Sequence, residues 1–155
     1  MPFTIARERP DSSSARTLMA ALDRDLHGRY PEAHTIRGLY ADDAKNPRLI
    51  FLVAYEGGDP VACGAVRELD ADTGEVKRMF VVHERRGQGI SRAMLVALEE
   101  HALREGYRAL RIETGTRQHE AVGLYRSSGY RDIPPFGDYM GNPYSVCFEK
   151  ALNLD

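Results

Sequence analysis

Between residues 49 and 82 the chain repeats one arrangement, a strand-like apolar run followed by a short polar turn, with no room for a helix in between. Residues 49–55 are nearly all apolar. Glu56-Gly57-Gly58-Asp59-Pro60 reads as a turn, residues 61–69 as a second run, 70–74 as another turn and 75–82 as a third run. Connections this short join antiparallel neighbours, so the segment predicts a β-meander. After residue 88 the period changes. Ile90, Met94, Ala97, Leu98 and Ala102 fall at helical spacing, which predicts a helix over 88–105 with Gly106 just past its end. A short strand over 108–113, a helix over 118–128 closed by Gly129 and a strand over 144–150 complete the chain. A strand, a crossover helix and a strand imply parallel pairing with a right-handed connection. The expected fold class is therefore α/β with a mixed sheet: an antiparallel meander, then a parallel βαβ unit, with helices on both faces. Ahead of it lie a strand over 3–6 and a helix with Asp11 or Ser12 as N-cap. Ala15, Leu18, Met19, Leu22 and Leu26 line one face of that helix, and Gly28 ends it. Residues 30–47 read as a short helix within a loop.

Composition narrows the class. The 155 residues are 43% hydrophobic and 28% charged, the balance of one soluble globular domain spanning 1–155. A net charge of −2 offers no general field for nucleic acid or an anionic membrane. No apolar run reaches the roughly 18 residues that a membrane span needs. The first residues, MPFTIARERPDSSS, lack a signal-peptide core, so a cytoplasmic location is expected. The two cysteines, Cys63 and Cys147, sit in strand-like runs without a CxxC, and read as buried free thiols in a reducing compartment. The histidines are scattered, and no ligand spacing calls for a metal.

The stretch from Glu75 to Ser91 carries the most chemistry. It is a strand, then a basic loop, Arg85-Arg86-Gly87-Gln88-Gly89, then the start of a helix. Glycines admit close backbone approach, and free N–H groups at a helix start favour an anion. Alone, this is a phosphate or pyrophosphate cradle. It is not a Walker A loop, which needs GxxxxGK[ST]. It departs from a dinucleotide fingerprint because Arg92 stands at the third glycine position. The strand itself implies an irregularity. If Val76, Met79 and Val81 all face the core, the step from 76 to 79 breaks period two, and a bulge near Lys77-Arg78 repairs it. The alternative register puts Val76, Arg78, Phe80 and Val82 on one face and turns Arg78 inward.

The loop resembles the [Q/R]-x-x-G-x-[G/A] signature of the Gcn5-related N-acetyltransferase (GNAT) superfamily. Arg86 holds its first position and Gly89 its fourth, and Ser91 replaces the final Gly or Ala. Ala121-Val122-Gly123-Leu124-Tyr125-Arg126-Ser127-Ser128-Gly129-Tyr130 is similar to the superfamily's A-[I/V]-x-L-Y-x-x-x-G-[F/Y] segment, and the element order agrees over most of the chain. The resemblance implies acetyl-CoA as donor substrate, lying in a V-shaped opening between the strands over 75–82 and 108–113. The pantetheine arm then pairs with backbone around Phe80, Val81 and Val82. Arg85, Arg86, Gly87, Gln88, Gly89, Ile90 and Ser91 surround the pyrophosphate, mostly through backbone N–H groups. Gln118 stands where relatives often have an Asn touching the pantetheine amides.

The same resemblance makes Tyr125 the candidate general acid for the departing thiolate and Glu75 the candidate base, directly or through a water. Without it, Tyr125 is a core aromatic on an amphipathic helix and Glu75 a strand-end glutamate facing water. The implied activity is an acetyl-CoA-dependent N-acetyltransferase acting by direct transfer in a ternary complex. The acceptor is the primary amine of a small molecule; a protein lysine or N-terminus, or a non-catalytic acyl-CoA-binding module, stand as alternatives. Residues 28–46 and 133–142 are expected to set acceptor specificity. Their acids, Glu32, Asp42, Asp43 and Asp138, hint at a cationic amine. A homodimer is compatible with the resemblance.

Overall fold

A computed structural model describes residues 2–32 and 38–153. It is built on a seven-stranded sheet in the order β1-β2-β3-β4-β5-β7-β6. The strands are β1 (Thr4–Arg7), β2 (Ile50–Glu56), β3 (Asp59–Glu68), β4 (Thr73–Val81), β5 (Ala109–Gly115), β6 (Arg131–Ile133) and β7 (Ser145–Ala151). Every neighbouring pair is antiparallel except β4 with β5. That is the meander and the single parallel unit the sequence implied. The β6 strand was not expected. It is three residues long and runs straight into Pro134-Pro135, which read as loop.

The helices are α1 (Ser13–Arg29), α2 (Ala41–Lys45), α3 (Ile90–Arg104) and α4 (His119–Ser127). Ser12 caps α1, its hydroxyl accepting from the Ala15 N–H at 3.1 Å. The nearly unbroken apolar run of β2 is explained by cover on both faces. Ile50, Leu52 and Ala54 join the core under α3 and α4. Phe51 and Val53 pack with Ala15 and Leu18 of α1 on the opposite face. No helix among the described residues is long and apolar enough to cross a membrane.

The expected bulge in β4 is present. Cys63 pairs with Phe80 but Ala65 pairs with Lys77, so β4 carries one extra residue opposite Gly64. Arg78 takes up the excess with φ 59, the one positive φ among the described non-glycine residues. Gly64 is needed there, because a Cβ would lie 2.9 Å from both Leu98 Cδ1 and Met79 Sδ. Val76 and Val81 lie in the α3 core with Met79 against it, as the bulged register requires. Arg78 is nevertheless inward too, with only 8% of its surface exposed. The bulge and the inward arginine, alternatives in the sequence, coexist because a left-handed residue re-aims its own side chain.

Candidate active site

The bulge has a second effect. The parallel β4–β5 ladder runs from Thr73–Ala109 to Val76–Ile112 and then stops. Beyond that point the strands diverge, and two cavities meet in the gap, sharing Leu22, Met79, Gln118 and Tyr125 in their walls. The outer groove reaches the basic loop and the start of α3. The inner chamber runs between β4, β5 and the loops that hold Tyr30, Tyr139 and Tyr144.

In the outer groove Gly87 and Gly89 adopt φ 78 and 81, which lets the loop turn tightly into α3. Gly89 is the N-cap of α3, and no side chain caps the helix. The first intrahelical donor is Ala93, bonding to the Gly89 carbonyl at 3.1 Å. The N–H groups of the preceding turn, at Ile90, Ser91 and Arg92, are thus open to an anion. The arginine side chains are occupied elsewhere. Arg85 Nε pairs with Glu56 at 2.9 Å, and Arg86 Nε donates to the Val81 carbonyl at 3.0 Å. The cradle is therefore chiefly a backbone one.

Phe80, Val81, Arg85, Arg86, Gly87, Gly89, Ile90, Ser91 and Gln118 all line this groove, whereas Val82 and Gln88 do not. The Val82 N–H is spent on Val61 of β3 at 2.9 Å, and Gln88 is exposed. By the alternation of an antiparallel ladder, Val81 turns its N–H and C=O away from β3 and into the gap. It alone of the three expected backbone positions is placed to pair with a ligand there. Gln118 caps the approach differently from expectation, its Oε1 accepting the Gly115 N–H at 2.9 Å.

Tyr125, on α4, stands where groove and chamber join. Its ring packs against Tyr130 and Phe148. Among the described residues its hydroxyl has no hydrogen-bond partner. Burial, helped by the Glu113 charge, raises its pKa above the ordinary 10, so the hydroxyl keeps its proton at neutral pH.

Glu75 is buried, with 3% of its surface exposed, and does not line the chamber. Reading it as a solvent-facing glutamate is thereby excluded. Its Oε1 accepts from Arg67 Nη1 at 3.1 Å and its Oε2 from the Tyr139 hydroxyl at 2.6 Å. Lys77 Nζ donates to the same Tyr139 oxygen at 2.7 Å. Tyr139 and Lys77 do face the chamber, so Glu75 lies one hydrogen bond behind its wall. Burial lowers the Lys77 pKa from its usual value. Period two puts Glu75 and Lys77 on one face of β4, a signal available in the sequence. Their link to Tyr139, 64 residues from Glu75, was not.

The acids that hinted at a cationic acceptor do not converge on the chamber. Glu32 pairs with Arg117 at 2.7 Å, Asp43 with Arg67 at 3.0 Å, and Asp138 accepts from Tyr40 at 3.0 Å. None of these residues, nor Asp42, lines it; among the described residues its charged wall is Lys77, Arg78 and Glu113. Residues 33–37, part of the expected specificity segment, lie outside the described residues. His83 is exposed in a one-turn 3₁₀ segment. Both thiols are buried, and burial pushes Cys147 up to about 11 and Cys63 up to about 12. Among the described residues no three His, Cys, Asp or Glu side chains group to hold a metal ion.

Comparison with known proteins gives the family and the fold. A family profile described as Acetyltransferase (GNAT) family matches residues 15–130. The chain is 41% identical over 150 residues to an IAA acetyltransferase of Azospirillum brasilense, covering 96% of this chain and 97% of that protein. A crystal structure from Klebsiella pneumoniae, assigned as an acyl-CoA N-acyltransferase, superposes with a TM-score of 0.81 at 32% identity over 97% of this chain and 98% of that one. A GNAT family acetyltransferase of Elizabethkingia anophelis, solved with acetyl-CoA bound, shares the fold with a TM-score of 0.69 at 17% identity, covering 97% of this chain and 98% of that one.

Proposed function

The chain belongs to the GNAT family of acetyltransferases, and from that premise we propose that it moves the acetyl group of acetyl-CoA to the primary amine of a small molecule by direct transfer. The observation that carries the reading is the placing of Tyr125. A protonated hydroxyl with no hydrogen-bond partner among the described residues stands where the groove beside the start of α3 meets a second cavity. The acetyl-CoA bound to the Elizabethkingia relative supports the choice of donor.

Acetyl-CoA, when bound, supplies the acetyl group as a thioester. The open N–H groups at the start of α3 hold its pyrophosphate, and the Val81 N–H is available to the extended arm or to the thioester oxygen. Tyr125 holds the proton that the departing thiolate needs. The amine's own proton leaves through Tyr139, which takes it on its oxygen while giving its hydroxyl proton to Glu75. Glu75 thus acts through a side chain rather than a water. Direct transfer is favoured over a cysteine-bound acyl group because both thiols are buried and held in the neutral form. The likeness to an IAA acetyltransferase favours a small acceptor over a protein segment, and the two buried free thiols suit a reducing cytoplasm.

Calorimetric titration with acetyl-CoA, with NAD as control, tests the donor. Micromolar binding of acetyl-CoA alone is expected, and no binding by folded protein would end the reading. Tyr125→Phe tests the acid. Its kcat should fall about 10²–10⁴-fold with acetyl-CoA affinity kept, and an intact rate would remove Tyr125 from the mechanism.

A further inference from the structure

Lys77 and Arg78 are consecutive residues of β4, and in a regular strand their side chains would point to opposite faces. Both instead line the inner chamber. The cause is the left-handed Arg78 at the bulge, φ 59, a conformation that non-glycine residues hold only where the surroundings enforce it. Each cation is 8% exposed, and each has donors to spare. Lys77 Nζ bonds Tyr139 at 2.7 Å and lies 3.7 Å from Glu75. Arg78 Nη2 bonds Asp23 Oδ1 at 2.6 Å and the Met19 carbonyl at 3.1 Å. Arg78 Nε is buried and has no hydrogen-bond partner among the described residues. A buried charged donor left unmatched is unusual and asks for an absent acceptor. Across the gap, β5 places Glu113 in the same wall, the one acidic residue among the described lining. Tyr30 and Tyr144 add aromatic surface, their rings edge to face at 5.9 Å.

Resting on the acetyltransferase reading, we propose that the acceptor carries a carboxylate beside its amine, and that Lys77 and Arg78 form the subsite for that carboxylate. The arrangement is a two-signed one. The carboxylate sits against Lys77 Nζ and the Arg78 guanidinium, and the amine lies toward Glu113 and the Tyr139 hydroxyl. The tyrosine rings take the acceptor's body.

The test is binding of benzoate against benzamide, two molecules of one shape that differ in charge, to the protein saturated with CoA. Benzoate should bind at least tenfold tighter, and Lys77→Met, which keeps the chain length, should bring the two within twofold. Arg78→Gln provides a second variant should Lys77→Met not fold. Equal binding of the pair by the wild type, or binding of neither, overturns the subsite. So does a preference for benzoate that survives in a folded variant. The CoA titration in the same preparation separates the two levels. CoA binding without benzoate preference removes the subsite alone. Benzoate preference without CoA binding, read on the free protein, removes the donor reading and leaves the subsite.

Discussion

Burial sorts the acids of this protein into those that keep their protons and those that share them. Tyr125, Cys63 and Cys147 are each pushed up by loss of solvent, yet only Tyr125 opens onto both cavities. A thiol near 11, as for Cys147, is ionised to roughly one part in a thousand at pH 8. Neither thiol of the native protein should therefore be labelled by iodoacetamide at pH 8, and both should react in denaturant, as mass spectrometry would show. Rapid labelling of Cys147 in the folded protein would reopen a covalent route. The raised pKa of Tyr125 has a matching kinetic consequence. If it is the acid, kcat should not decline with pH below about 10, since its hydroxyl ionises only above its ordinary value.

Two glycines on different elements separate space from strain. At Gly115, the end of β5, a Cβ would lie 1.8 Å from the Tyr30 hydroxyl oxygen and 2.4 Å from its Cζ. Gly115→Ala must displace Tyr30, which also accepts the Arg117 N–H at 2.9 Å. It should destabilise by about 1–3 kcal/mol in denaturant unfolding and distort the chamber. At Gly89 a Cβ would meet nothing within 4 Å, so Gly89→Ala bears only the penalty of its positive φ, about 1–2 kcal/mol. Its larger effect should be on acetyl-CoA, whose Kd should rise tenfold or more by calorimetry because the new methyl occupies the groove. The elements themselves were largely legible. The change from strand runs to helical spacing marks the meander and the βαβ unit, and the spacing of Val76, Met79 and Val81 located the bulge. The site was legible only where it is local. The cradle is contiguous in the chain, but Tyr139 reaches Glu75 from a distant 3₁₀ turn, and no periodicity reports such a contact. Nor does composition reveal that Arg78 turns left-handed, since arginine rarely does so.

For the molecule as a whole, the buried tyrosines set an alkaline limit. Tyr107 is pushed up to about 12, and Tyr125, Tyr130 and Tyr139 are raised as well, burial leading in every case. Above pH 10 the unfolded chain releases phenolic protons that the folded chain retains. The folded state then binds more protons, so stability falls as pH rises. Melting followed by circular dichroism should show a Tm that drops steeply between pH 10 and 12, and a flat Tm across that window would contradict the burial of these rings. The gap between β4 and β5 bears on the molecule in another way. The outer margins of the sheet are blunt, with four residues in β1 and three in β6, and short margins resist joining to other chains. The ends of β4 and β5 beyond Val76 and Ile112 are edges too, but they lie in the middle of the sheet, where nothing shortens them. A donor that pairs with Val81 would cover that inner edge and act as a guard as well as a reactant.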